Sequence, residues 1–203
     1  GCCGADCQEE WQVLMNGDFA QTHEEEGYLW PDDWSVLIEE PEEATIQVLS
    51  NDGSYTDVLD IDRTDPYSEG DIDRVWQNLN INVSHCGALH IELDGKLLYQ
   101  SLSGAGWAFG EWPLYVRLYY KDTNGQTRQW VRGFYYKGTA ISNWAAYSVK
   151  VEQNAWFHFI SDNLLELEYP PSTITQLVVG GAGWSYQSRL DGVTLTGLMP
   201  LCE

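Results

Sequence analysis

Positive charge is scarce in this chain of 203 residues: ten lysines and arginines stand against 31 aspartates and glutamates, for a formal net charge of −21. A surface so poor in cations repels a phosphate backbone and an anionic lipid leaflet alike, which excludes a nucleic-acid reader and a membrane-surface binder. No apolar run reaches the roughly 18 residues of a transmembrane segment. Motifs of catalysis are missing too. There is no Gly-x-Ser-x-Gly, no phosphate loop and no His-Glu-x-x-His, since His23-Glu-Glu-Glu-Gly27 lacks its second histidine. The four histidines (His23, His85, His90, His158) are scattered, and His90 and His158 fall in strand patterns where a satisfied sheet histidine is the expected reading. The expectation is a protein without catalytic activity, although a glycosidase needs only two carboxylates at fixed separation and 31 are on offer.

Hydrophobic residues make up 43% of the chain and aromatics 13%, more than a disordered acidic chain carries, so a packed core is expected. The charge is polarised along the sequence. Residues 1–73 hold 21 acids and one base, Arg63, whereas residues 74–203 hold ten acids and nine bases. A halophilic surface would spread its acids evenly, so this asymmetry points to a local role, toward cations or a complementary partner.

The hydrophobic period is two rather than 3.6. Val75, Gln77, Leu79, Ile81 and Val83 alternate with Trp76, Asn78, Asn80 and Asn82, as in a long half-buried strand. Residues 88–93 and 96–102 flank Asp94-Gly95, a hairpin signal, and runs 114–120 and 127–136 flank a turn at Asp122-Thr-Asn-Gly125. Further strands are expected at 11–15, 34–38, 44–50, 156–160, 174–179 and 188–196. The pattern implies an all-β protein, a single antiparallel β-sandwich of jelly-roll type spanning 11–203 behind a cysteine-rich segment 1–10. Residues 51–73, rich in Asp, Ser and Gly, read as a long acidic loop within it.

Gly1-Cys2-Cys3-Gly4 lacks an initiator methionine, as a processed chain would, and implies an extracellular or cell-surface location. There Cys2, Cys3, Cys7, Cys86 and Cys202 are expected to be mostly disulfides. A bridge from Cys202 to the N-terminal cluster would tie the ends together, contributing on the order of 4–5 kcal/mol by chain entropy. The odd count leaves one thiol over, as a buried free cysteine, an interchain bridge, or a lipid-bearing Cys2. Asn82-Val-Ser84 matches a glycosylation sequon within a strand pattern.

Ten tryptophans and twelve tyrosines suggest sugar binding, because an aromatic face stacks on the C–H side of a pyranose while nearby amides and carboxylates bond its hydroxyls. Trp30, Trp34, Trp107, Trp112, Trp144 and Tyr147 are the loop or strand-end candidates. Trp76, Trp130 and Trp156 sit in strand runs and read as core or sheet-face residues.

Met15-Asn-Gly-Asp-Phe19, the tryptophan at Trp34, and Ser188-Arg-Leu-Asp-Gly-Val-Thr-Leu195 together resemble the galactose-binding-like jelly rolls of carbohydrate-binding modules. Trp112–Tyr120 and Trp130–Tyr136 look like inner-sheet strands of similar domains in bacterial surface lipoproteins. The resemblance implies adjacent terminal strands sharing a structural Ca²⁺, with Asp18 and Asp191 at the matching ligand positions, although Ala20 stands where the family usually has glutamate. The acidic stretch carries Asp57, Asp60, Asp62, Asp65, Asp71 and Asp73, with Asp-Ile-Asp-Arg repeated at 60–63 and 71–74, but it is no EF-hand. Two functions are therefore expected to compete. One is a non-catalytic extracellular protein that binds a glycan or polysaccharide. The other is a subunit that self-associates into an extracellular filament or coat through strand donation, disulfides or cation bridges.

Overall fold

A computed structural model describes residues 8–64, 70–106, 110–141 and 143–200. In chain order the strands are β1 (Gln8–Gln12), β2 (Thr22–Glu25), β3 (Tyr28–Pro31), β4 (Ser35–Leu37), β5 (Thr45–Asp52), β6 (Tyr55–Arg63), β7 (Asp71–Asn82), β8 (Ala88–Gln100), β9 (Trp112–Asp122), β10 (Thr127–Tyr135), β11 (Ser148–Lys150), β12 (Trp156–Ile160), β13 (Pro171–Gly183) and β14 (Tyr186–Pro200). Among the described residues the only helical pieces are two 3₁₀ turns, Ala145–Tyr147 and Leu164–Glu166. The strands form two six-stranded sheets and a small hairpin of β2 and β3. The first sheet runs β12-β8-β14-β6-β5, with β1 also on β14; the second runs β11-β10-β9-β13-β7-β4. All pairings between these strands are antiparallel except β10 with β11.

The alternation that marks these strands in the sequence is what closes the sandwich. From the first sheet Ile46, Val48, Leu59, Ile61, Leu89, Ile91, Leu93, Leu190 and Leu195 face inward; from the second, Val75, Leu114, Val116, Leu118, Phe134, Leu177 and Val179 meet them, all essentially without solvent contact. Each fully buried aliphatic side chain contributes about 1.5–3 kcal/mol relative to exposure. The jelly-roll sandwich expected from the sequence is the fold observed.

Two local expectations are corrected. Asp94-Gly95 is not a turn, because β8 runs unbroken from Ala88 to Gln100, with Gly95 paired to Leu190 on one side and Phe157 on the other. The glycine answers a packing need: a Cβ there would press into the Phe157 ring and lie 2.8 Å from Leu114 Cδ2. Nor is 51–73 a single acidic loop. β5 and β6 form a hairpin turning at Asn51 to Ser54, where Asn51 and Gly53 take positive φ, and β7 begins at Asp71. Along β6 the acids alternate with core residues: Leu59, Ile61 and Arg63 point inward while Asp60 and Asp62 take the other face. Only residues 64–70 separate β6 from β7, and 65–69 lie outside the described residues.

By contrast, the β9–β10 hairpin turns where expected. The Asp122 carboxylate accepts the backbone N–H groups of Asn124 (2.8 Å) and Gln126 (2.9 Å), and Gly125 supplies the positive φ. The motifs that carry the family resemblance also meet, as Val193 N–H donates to the Gly17 carbonyl at 2.9 Å. Gly17 has no room for a side chain against the Val193 carbonyl.

Arg63, the lone base of the acidic segment, is fully buried between the sheets. It binds Glu43 at 2.8 Å, Asp71 at 3.0 Å and Asp73 at 3.4 Å, and the Tyr186 hydroxyl donates to Asp73 at 2.8 Å. Burial pushes the Asp73 carboxyl above its ordinary range in spite of the Tyr186 and Arg63 contacts.

Candidate functional site

The sandwich separates the aromatic candidates. Trp34 is in the core, 6% exposed, its ring 5.6 Å from Phe19 and its Nε1–H donated to the Asn16 carbonyl, so it offers no face to a ligand. Trp112 is likewise enclosed at 2% exposure, donating Nε1–H to Ser148 Oγ and meeting Trp144 edge-on at 5.2 Å. Trp30 lines a separate apolar pocket of ≈ 260 Å³ beneath the β2–β3 hairpin, with Val36, Pro41 and Ile46. Trp107 lies outside the described residues. Trp144 and Tyr147, at the 3₁₀ turn that precedes β11, are the described candidates that line an open groove together, one of ≈ 370 Å³ completed by Gln129, Trp130, Val131, Glu168 and Tyr169.

That groove exists because β11 pairs with β10 only from Gly133 to Tyr135, leaving the edge of β10 free at Gln129 to Arg132. Gln129 and Val131 point away from the core, so the groove opens onto the outer face of the second sheet. The strand register there sets the outward residues in rows. Asn78, Gln176, Tyr119 and Gln129 form one; Trp76, Val178, Arg117 and Val131 the next; Arg74, Gly180, Tyr115 and Gly133 a third. Three inter-strand spacings make this track about 14 Å wide. Part of the track is itself covered: Tyr115 and Val178 are buried with Trp112, Tyr135, Ala105 and Ala182 in a second, smaller hydrophobic cluster, and Trp76, Tyr119, Val131 and Trp144 pack against it as partly buried residues, so the row through Asn78, Gln176, Tyr119 and Gln129 is the more open one. Glycine at 133 is required beside the cluster, because the Trp112 ring occupies the space a Cβ would need.

The face is aromatic, amide-bearing and cationic. Arg117 sits 5.3 Å from the Tyr115 ring centroid and 6.0 Å from that of Tyr119, and Arg74 lies 5.9 Å from that of Trp76. Gln176 Nε2 donates to Asn78 Oδ1 at 2.8 Å, leaving the Gln176 carbonyl and the Asn78 amide hydrogens free of that contact. Burial pushes the Tyr115 hydroxyl up to about 12, against the nearby charges of Arg117 and Arg74, so it stays protonated at any physiological pH. These residues were harder to single out than the loop tryptophans. The signal lay in β9, whose outward positions Tyr115, Arg117, Tyr119 and Lys121 are large where a solvated face needs only small polar groups.

On the first sheet, Asp191 carries the strongest carboxylate anomaly. Burial and the negative charges of Asp18, Asp94 and Asp57 push it up to about 6, while the Gly192 N–H, 2.6 Å from Oδ1, pulls the other way. Asp18 and Asp191 are thus on neighbouring segments. Two carboxylates give at most four of the six to eight oxygens of a Ca²⁺ shell, and among the described residues no three Asp, Glu, His or Cys side chains converge as a metal cage. Of the cysteines, Cys2, Cys3, Cys7 and Cys202 lie outside the described residues, and Cys86 is a half-buried free thiol whose burial raises its pKa.

No protein-family model matches the chain, and no curated protein matches it. Solved structures do. The fold is shared with a putative sugar-binding protein. That protein, from Bacteroides thetaiotaomicron, is 12% identical over 92% of this chain and 100% of its own, with a TM-score of 0.52. The enzymatically active domain of tailspike protein 4 of bacteriophage CBA120 is 11% identical over 93% of this chain, which spans only 21% of the tailspike chain, at a TM-score of 0.50. The family 11 carbohydrate-binding module of a cellulosomal cellulase of Clostridium thermocellum is 14% identical over 96% of both chains, at a TM-score of 0.48. At these identities the likeness is one of fold.

Proposed function

We propose that the protein is a non-catalytic glycan-binding domain acting outside the cell or at its surface, and that it holds saccharide along the outer face of the second sheet. The observation that carries this reading is the composition of the track. Trp76, Tyr119, Trp144 and Tyr147 provide rings for sugar C–H faces, and Asn78, Gln176 and Gln129 provide amides for hydroxyls. Among the described residues Glu168 is the one carboxylate lining the groove, and hydrolysis of a glycosidic bond ordinarily takes two, so the arrangement suits binding rather than cleavage. The putative sugar-binding protein of Bacteroides thetaiotaomicron, which has the same fold, agrees with it. A structural Ca²⁺ at the Asp18–Asp191 junction belongs to the same proposal, its remaining oxygens coming from backbone carbonyls and water. The self-assembling alternative draws no support from the terminal strands, since β1 pairs with β14 of its own chain from Gln8↔Pro200 to Gln12↔Thr196.

Affinity gel electrophoresis against a panel of neutral and charged polysaccharides tests the reading. At least one polymer is expected to retard the protein, and Tyr119→Ala and Trp144→Ala each to weaken that retention about three- to tenfold with the melting temperature held. Free migration through every polymer of the panel would overturn it.

A further inference from the structure

The first sheet and the second treat their bases differently. Strands of the first sheet contain Arg63, Lys96 and Arg189, and each is ion-paired: Arg63 with three carboxylates, Lys96 with Asp52, Arg189 with Asp52 and Asp60. Strands of the second sheet contain three acids (Asp71, Asp73, Asp122) against six bases (Arg74, Arg117, Lys121, Arg128, Arg132, Lys150). Of those bases, among the described residues, only Arg128 has a carboxylate partner. In a chain with three acids for every base, leaving guanidinium groups without counter-charge on one face is a selective arrangement.

Arg74 and Arg117 converge. Both act electrostatically on the buried Tyr115 hydroxyl, which Arg74 approaches as a loose hydrogen-bond donor and which has no partner of good geometry among the described residues. Arg117 donates Nη1–H to the Tyr119 hydroxyl at 3.2 Å, yet its Nε is buried with no acceptor among the described residues. A half-buried guanidinium with an unused N–H, resting on tyrosine rings, has lost water without gaining an anion. Among the described residues no carboxylate lies within ion-pair distance of Arg74 or Arg117, so a ligand that brings its own anion would find both guanidinium groups unpaired. A planar carboxylate fits the planar donor fork of arginine, and the amides and rings around the pair already suit the rest of a sugar.

We infer that the saccharide bound on this face is an acidic one, a polymer of uronic acid residues whose carboxylates are received by Arg74 and Arg117. The inference rests on the glycan-binding reading and narrows it. A protein of net charge −21 can approach a polyanion through this face, because the second sheet's strands hold six bases and three acids whereas the first sheet's hold three bases and nine acids.

The test is affinity electrophoresis in gels containing polygalacturonate, highly methyl-esterified pectin, dextran sulfate or neutral xylan. Polygalacturonate is expected to retard the protein and the methyl ester, with the same backbone but masked carboxylates, to do so far less. Arg117→Gln and Arg74→Gln are each expected to weaken polygalacturonate retention about tenfold or more while leaving the melting temperature in place. Added retention by dextran sulfate supports an anion site; retention by dextran sulfate alone overturns the carboxylate. Equal retention by pectin and polygalacturonate, or undiminished binding by Arg117→Gln, overturns the inference and leaves glycan binding standing. No retention in any gel overturns both.

Discussion

Asp191 joins the electrostatics of single residues to the stability of the whole domain. Its carboxyl, raised to about 6, binds a proton in the folded chain more readily than in the unfolded one, where about 3.9 is normal. The stability linked to that proton is complete below the unfolded value and lost as pH rises through about 6. Lowering pH from 7 toward 5 should therefore raise the melting temperature, and Asp191→Asn should be more stable than the parent at pH 7 and lack that rise. Discounted for partial solvent access, the effect is about 1 kcal/mol, or about 2–4 °C for a chain of this size. If Ca²⁺ binds at this junction, millimolar calcium raises the parent's melting temperature at pH 7 and leaves that of Asp191→Asn unchanged. Arg63 presents the opposite case. Arg63→Met removes the buried cation that Asp71 and Asp73 share, and a loss of about 3–5 kcal/mol is expected in urea denaturation.

At the scale of elements, β8 carries a sharp test. Gly95→Ala places a methyl group where Phe157 and Leu114 already meet, so overpacking of about 1–3 kcal/mol is expected. If Gly95 instead lay in a turn, alanine would be nearly neutral. The same strand shows where the sequence was legible and where it was not. Period-two alternation located the long strands, because an inward apolar residue at every second position is a direct consequence of the pleat, and β12 appears over the expected residues 156–160. Asp-Gly misled because glycine serves both positive φ and close packing, and only the three-dimensional neighbours distinguish them. The Asp-rich stretch misled similarly: Asp60 forms an ion pair with Arg189, which lies 129 residues away in sequence, so a strand face looked like a solvated loop. Trp34 and Trp112 were plausible ligand stackers by position, and the core claimed both. The groove residues Trp144 and Tyr147 were found in the sequence, but the row through Tyr119, Arg117 and Trp76 needed the sheet order that sets β10, β9, β13 and β7 side by side.

For the whole molecule, charge polarity in the sequence becomes charge polarity in space. The acid-rich strands β5 and β6 form one flank of the first sheet, while β9, β10, β11 and β13 hold Asp122 as their sole acid. Salt acts on the two parts unequally. Raising ionic strength beyond 0.1 M shortens the screening length below about 10 Å, which relaxes the repulsion among exposed acids more than the half-buried Arg117 contact. An electric moment of this kind also gives the domain a preferred way up. On a positively charged bead or chip the acidic sheet settles against the support, so every molecule in the layer presents its aromatic, arginine-bearing sheet to the solution without tag or chemical coupling.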